Sequence, residues 1–300
     1  MAHIQLLTCS SLEGYFESPD HALITEDDAL LYEALVDAGH KVSALVWDSE
    51  EAKAPAGDLV VVRSPWDYFE KAAAFEAWLD LMEKGGYPIM NAPADLRWNM
   101  NKHYLGELRA KGVRILPTEY ISSHNSSDLA GFFDHFDTDE LIIKPVIGAN
   151  AFKTHRFGRD SVEAHQEMLK TYLDDCDFMV QPFAPSVLEQ GEWSFVFFNG
   201  KPSHAFIKRP AKGDFRVQGE HGGSLHLEDA PEALWARAAD VVAKLPSTPL
   251  YARVDGVIYD GDFALMEVEM FEPELYFRLD AESPKRMVRA IEEVLSKASR

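Results

Sequence analysis

Tyr251-Ala252-Arg253-Val254-Asp255-Gly256-Val257-Ile258-Tyr259, Asp260-Gly261-Asp262 and Phe263-Ala264-Leu265-Met266-Glu267-Val268-Glu269-Met270 read as two β-rich runs around an Asp-Gly turn. Strand side chains alternate faces, so Glu267 and Glu269 point one way while Val268 and Met270 point the other. With Asp260 to Asp262 taken as a three-residue turn, Asp255 falls opposite Glu267 and Arg253 opposite Glu269. Two carboxylates about 5 Å apart repel by roughly 3 kcal/mol at an effective dielectric near 20, so a cation belongs beside them. Arg253 could serve Glu269 and leave the rest as a solvated sheet face. The alternative is magnesium, a hard cation that takes carboxylate oxygens and is often shared with nucleotide phosphates. The hairpin alone leaves both open.

The rest of the chain bounds the answer. Its 300 residues, 46% hydrophobic and 26% charged, can bury a large core in one large or two to three small domains. A net charge of −21 lacks the basic footprint of a nucleic-acid or anionic-membrane binder, so any phosphate site must be built locally from a few lysines. Cys9 and Cys176 are the only cysteines and form no CxxC, which excludes a disulfide framework and points to a reducing compartment. The eleven histidines show no HExxH spacing, and no run of about 18 apolar residues occurs. A cytoplasmic protein is expected, and the sequence leaves a homo-oligomer open.

Along the chain, strands at 3–8, 41–47, 58–63 and 87–91 alternate with helices at 25–38 and 70–84, an open α/β unit. Thr25 with Asp28 three residues on gives a helix-capping signal. The turn after the first strand, Cys9-Ser10-Ser11-Leu12-Glu13-Gly14, has no GxGxxG, and no GxxxxGK[ST] occurs anywhere. From Leu96 the pattern becomes α+β: helix 97–111, strand 113–121, helix 126–135, strand 140–145, helix 160–174 and strand 177–183. Strands at 193–198, 203–208 and 251–269 then surround a helix at 231–244, and a helix at 284–298 closes the chain. The expected domains are 1–95, 96–183 and 184–300.

Three groups of residues invite chemistry. Lys144 ends an apolar strand before Pro145 and the small-residue loop Gly148-Ala149-Asn150-Ala151; a lysine there faces a ligand or merely guards a sheet edge. Lys102 lies near a helix start. Arg63, Trp66, Asp67 and Tyr68 follow the apolar run Leu59 to Val62, at the strand end where open α/β sheets bind ligands. Arg63 with Asp67 would suit an amino-acid zwitterion, whereas Trp66 and Tyr68 could equally be packing residues. Glu272, Glu274 and Tyr276 are candidates for the opposite wall.

In order, Lys102, Ile143-Lys144-Pro145, Met179-Val180-Gln181-Pro182-Phe183, Gly191-Glu192, Lys208, Arg216, Asp255 and Glu267-Val268-Glu269 resemble the ATP-grasp enzymes over essentially the whole chain. The glutathione synthetase and RimK-like branch is most similar, in particular a bacterial subgroup containing the D-cycloserine-forming ligase. Val62-Arg63-Ser64-Pro65-Trp66-Asp67-Tyr68, His204 to Pro210, Gly213 to Gln218 and Glu267 to Leu275 carry that likeness.

The resemblance implies an α/β and α+β ATP-grasp fold: an N-terminal α/β domain, a small lid lobe and a C-terminal lobe with a mainly antiparallel sheet. It implies that Lys102 and Lys144 contact ATP phosphates, that the backbone of Gln181, Pro182 and Phe183 reads adenine, and that Glu192 holds the ribose. Lys208 would support the nucleotide and Arg216 the γ-phosphate; Lys144 and Arg216 are the catalytic candidates. Asp255, Glu267 and Glu269 would carry magnesium, with manganese able to replace it. Two departures stand out: Glu269 occupies a position usually held by Asn, and the 148–151 loop is poor in glycine, which normally lets backbone approach phosphate.

The implied activity joins the carboxylate of a small amino-acid-like substrate to an amine or similar nucleophile through an acyl-phosphate, releasing ADP and phosphate. The same motifs fit an intramolecular cyclase resembling the one that forms D-cycloserine from an O-ureido amino acid. The sparse loop would also fit a nucleotide-binding regulator without catalysis.

Overall fold

The computed structural model describes residues 1–10, 16–17, 23–124, 128–148, 151–174 and 176–298. The first sheet is parallel throughout, with strands in the spatial order Lys41–Val46, His3–Thr8, Leu59–Ser64 and Ile89–Met90. Thr25 caps the helix Glu26–Asp37 as its spacing predicts, its hydroxyl accepting from the Asp28 N–H at 3.0 Å. The single helix expected over 97–111 is two, Pro93–Met100 and Tyr104–Ala110. Asn101 is extended between them, its side chain accepts from the His103 N–H, and the Lys102 N–H leaves the helix to donate to Val146 O at 2.9 Å. That break aims Lys102 at the middle of the molecule.

A second sheet is antiparallel, ordered Glu119–Ile121, Phe178–Pro182, Glu140–Pro145, His155–Gly158. The strand expected over 113–121 is shortened to its last three residues because Pro117 has no N–H to give; upstream, Leu116 N donates instead to Leu265 O at 2.9 Å. A core of Ile121, Leu129, Phe133, Leu141, Ile143, Phe157, Leu169, Leu173, Phe178 and Val180 lies wholly within this lobe. The third sheet is also antiparallel: Ser224–Leu227, Lys201–Arg209, Glu192–Phe198, Tyr251–Tyr259, Asp262–Glu269. Its edge strand Ser224–Leu227 is only four residues long and mostly exposed, too short a run for Leu225 and Leu227 to announce it in the sequence.

The faces of this third sheet set the site. Trp193, Phe195 and Phe197 point to a core shared with Tyr104, Leu105, Leu108 and the helix Glu232–Ala243. Their alternates Val196 and Phe198 meet Ile4, Leu6, Leu31 and, from the final helix Ser283–Ala298, Met287 and Ile291. Glu192 and Ser194 continue that second face beyond the apolar part. The first domain covers one end of the face, and the other end is left for polar chemistry. Among the described residues no helix is long and apolar enough to cross a membrane.

The decisive hairpin pairs Asp255 with Glu267 and Arg253 with Glu269, as read from the sequence, but by another route. The turn has two residues, Asp260 (φ 48°) and Gly261 (φ 76°), so Tyr259 pairs with Asp262. Left uninterrupted, that register would put Glu267 and Glu269 on the face opposite Asp255. A bulge between Asp255 and Gly256 inserts Met266 and returns the acids to one face.

Candidate active site

Neighbouring strands carry a charged stripe across the third sheet. Glu192 pairs in register with Lys208, Ser194 with Asp255, and Asp255 with Glu267. Lys208 Nζ lies 2.6 Å from Glu192 and 2.9 Å from Asp255, which also accepts from Ser194 Oγ at 2.7 Å. Arg253 lies along Asp255, with Nη2 2.9 Å from Oδ2, and bonds Glu269 as well. Lys102, 7% exposed, reaches Glu267 at 3.0 Å and donates to Gly148 O at 2.8 Å. Lys144 enters from the lid strand; among the described residues its ammonium has no hydrogen-bond or ion-pair partner.

The electrostatics follow from burial set against these pairs. Burial opposes the charge on Asp255, yet Arg253 and Lys208 hold its carboxyl below the usual range. Burial is likewise outweighed at Glu267 by Lys102 and Lys144. At Glu269 burial wins over Arg253, and Asp255 and Glu267 add to it, pushing the carboxyl up to about 7. Burial also raises Glu192 against the pull of Lys208. Burial lowers Lys144, partly opposed by Glu267 and helped by Lys102.

All these groups line one cavity of about 390 Å³ between the lid and the third sheet. Gln181, Pro182 and Phe183 form its inner edge; the Gln181 side chain is spent on Thr118 Oγ1 at 2.9 Å, and the Phe183 N–H on Glu140 O at 2.9 Å. Trp66, Tyr68, Phe271, Glu272, Glu274 and Tyr276 line the same cavity. Burial, with Glu269 next, pushes Glu272 up to about 8. Arg216 lines the mouth, half exposed and folded back on Asp214 at 2.8 Å.

Arg63 and Asp67 do not form the clamp that their spacing suggests. Arg63 is buried against Asp28 at 2.9 Å, and Asp67 accepts from Trp47 Nε1 and Lys71 Nζ at 2.7 Å each; neither lines the cavity. Both have partners close at hand from helix and loop neighbours that a linear reading does not bring together. Ala149 and Asn150 of the glycine-poor loop, and Ser11 to Gly14 of the first turn, lie outside the described residues. Sequence reasoning treated Arg253 only as a counter-ion to Glu269 and passed over Asn99, whose amide fixes Val268 O at 2.7 Å beside the acids. The Arg-Val-Asp alternation is the signal for Arg253, since it places the arginine on the acids' own face.

A family model described as the N-terminal domain of D-cycloserine synthetase DcsG matches residues 4–91. The cycloserine biosynthesis protein DcsG of Streptomyces lavendulae is 28% identical over 281 residues, 88% of this chain and 92% of that protein. The crystal structure of D-cycloserine synthetase DcsG superposes with a TM-score of 0.83 at 25% identity, over 98% of this chain and 99% of that one. The chain has the ATP-grasp fold and is similar to its ATP-dependent ligases. The ATP-grasp architecture extends to D-alanine–D-alanine ligase from Bacillus anthracis, complexed with ATP, at a TM-score of 0.69 and 16% identity over 99% and 98% of the two chains. It extends also to the ligase PsnB with its minimal precursor, Mg and ADP, at 0.61 and 13% over 96% and 98%.

Within this ATP-grasp site, Asp255, Glu267 and Glu269 offer only hard oxygen donors, the chemistry magnesium takes. As they stand, each is turned to a lysine or arginine, and among the described residues no three His, Cys, Asp or Glu side chains are grouped to hold a metal ion. The donor type fits the metal; the present pairing holds the donors for cations of the chain itself.

Proposed function

We propose that the chain ligates the carboxylate of a small amino-acid-like substrate to a nitrogen nucleophile at the expense of ATP, through an acyl-phosphate. The observation that carries this reading is the opposition of four cations, Lys102, Lys144, Lys208 and Arg253, to four carboxylates, Glu192, Asp255, Glu267 and Glu269, in one cavity under a lid. Such a set is balanced while empty and is re-paired by a polyanion. Nucleotide phosphates draw Lys102 and Lys144, and the carboxylates so released gain a use for a metal. Magnesium would be held by Asp255, Glu267 and Glu269 and would supply positive charge against phosphate oxygens. The backbone of Gln181 to Phe183 takes the adenine and Glu192 the ribose, with Lys208 beside it.

The substrate carboxylate oxygen attacks the γ-phosphorus while the bond from that phosphorus to the bridging oxygen breaks, and ADP leaves. Lys144, with Arg216 at the mouth, offsets charge on the transferred group. The amine nitrogen then attacks the acyl carbon, the carbon–oxygen bond to phosphate breaks, and the nitrogen gives up a proton. The lid lobe excludes water from the acyl-phosphate meanwhile. Trp66, Tyr68 and Glu272 are the substrate's side of the cavity, the Glu272 carboxylate facing its amino group.

The test is ADP release with a panel of small amino acids, D-alanine and O-ureido-serine among them, with hydroxylamine added to trap the acyl-phosphate as a hydroxamate. Hydroxamate in proportion to ADP is expected, and Glu267→Gln should lose turnover at least 100-fold. Full turnover by Glu267→Gln would sink the metal assignment. Similarity to DcsG over nearly the whole chain favours a second reading, cyclisation of one substrate that carries both carboxylate and nucleophile. Turnover of O-ureido-serine without an added amine would select it; an obligatory acceptor would exclude it.

A further inference from the structure

The segment Phe271 to Phe277, which bears Glu272, Glu274 and Tyr276 on the cavity, has almost no regular structure, yet its backbone is held at nearly every peptide. Tyr251 OH lies 3.0 Å from Phe271 O, Trp66 Nε1 donates to Glu272 O at 3.0 Å, and Arg63 Nη2 to Pro273 O at 3.1 Å. Arg253 Nη1 donates to Glu274 O at 2.7 Å, and His204 Nε2 lies 2.7 Å from Leu275 O. The next three N–H groups, of Leu275, Tyr276 and Phe277, all go to one side chain: Asp27 accepts them at 2.5, 2.7 and 2.9 Å. Asp27 is 1% exposed, does not line the cavity, and stands in the first turn of Glu26–Asp37, far from this segment in the sequence. Tyr276 is held there at φ 52°, a left-handed conformation that a non-glycine residue keeps only when its surroundings impose it.

We propose that Asp27 is a positioning residue for the substrate wall. Its carboxylate gathers three consecutive N–H groups into one tight turn, and that turn aims Glu272, Glu274 and Tyr276 into the cavity. From the strand Leu59–Ser64, Arg63 completes the clamp by bridging Asp28, at the same helix end, and Pro273 O, so the start of the first helix and the wall are tied together. A carboxylate suits this task because it is acceptor-only; an asparagine of the same shape would turn an N–H₂ against at least one of the three donors. The proposal rests on the reading of this wall as the substrate's side of the site.

Asp27→Asn tests it, with Thr25→Ala as a variant that removes the neighbouring helix cap without touching the wall. The expected result has two parts. Amide hydrogen exchange at Leu275, Tyr276 and Phe277 speeds up at least tenfold in Asp27→Asn alone. With O-ureido-serine and D-alanine as probes, the amino-acid KM rises at least tenfold while the KM for Mg-ATP changes less than twofold; Thr25→Ala shows no such split. Wild-type exchange at these three amides, or both KM values moving together, overturns the positioning role. If neither amino acid supports ADP release by the wild type, the ligase reading fails, and the exchange data still decide whether Asp27 holds the wall. Should Asp27→Asn not fold, Arg63→Lys, which cannot reach Asp28 and Pro273 O at once, is read by the same two measurements.

Discussion

His204 illustrates what a single buried side chain contributes. It is buried beside the wall, its Nδ1 3.0 Å from Ser203 Oγ and its Nε2 on Leu275 O. Burial lowers its pKa to about 4; the Leu275 carbonyl and Asp280 pull upward, and Arg286 pushes down. The folded value lies below the unfolded value of about 6.5, so neutral His204 contributes stability above pH 6.5 that is lost as the pH falls towards 4. The gap corresponds to roughly 3 kcal/mol. Urea unfolding at pH 7 and pH 4 should show His204→Gln losing less stability than wild type by about that amount; equal losses would mean that the ring is charged or exposed in the native state. Other residues of the site differ in how far the sequence discloses them. Lys102, Lys144, Lys208 and the acids, which the family resemblance singles out in the sequence, line one cavity, although each lysine read alone could equally be a surface or sheet-edge charge. The places of Arg63 and Asp67 were not legible, because their partners Asp28, Trp47 and Lys71 come from other elements.

At the scale of elements, the hairpin carries the main lesson. Alternation and the Asp-Gly turn predicted the right cross-strand pairs, but a two-residue turn with a later bulge gives the same pairing at the acids as a three-residue turn, and the sequence does not distinguish them. Gly256 is where the difference shows. A Cβ there would lie 2.4 Å from Phe263 Cζ and 2.6 Å from Ala264 O, and a backbone oxygen cannot step aside. Gly256→Ala should therefore cost about 1–3 kcal/mol and, by shifting the bulge, weaken Mg-ATP binding at least tenfold. Gly261→Ala, at φ +76° with open space around it, should cost about 1–3 kcal/mol and leave Mg-ATP affinity within twofold. Calorimetric titration with Mg-ATP beside urea unfolding separates the two; affinity lost equally in both variants would refute a role for the bulge. The broken helix at Asn101 was hidden for a related reason: Lys102 gives its N–H to the lid backbone, a contact between segments 44 residues apart in the numbering of Lys102 and Val146.

The three larger sheets are not equally bound together. One core joins Ile4, Leu6 and Leu31 to Val196, Phe206, Met287 and Ile291, so the first domain, the third sheet and the final helix share their burial. The lid's core closes on itself within 121–180. It meets the rest chiefly through Val146 and Met179, which join the large core beneath the third sheet, and through the ends of its strands at the cavity. The lid can therefore open or loosen without unfolding the remainder, whereas the first domain and the C-terminal sheet cannot separate cheaply. A ligand that bridges Lys144 on the lid to Lys208, Asp255 and Glu267 on the third sheet should close that gap in stability. At a hundred times its Kd, such a ligand stabilises the bound form by about 2.7 kcal/mol. If lid opening breaks the site, amide exchange in Glu140–Pro145 and Phe178–Pro182 should slow by up to about 100-fold with saturating Mg-ATP, the factor that this free energy implies. Protection there should fall back when EDTA removes magnesium, and Glu267→Gln should show little of it. Mg-ATP protecting the third sheet while leaving both lid strands at their free rates would mean that the nucleotide binds without the lid, and the cations of Lys102 and Lys144 would need another partner.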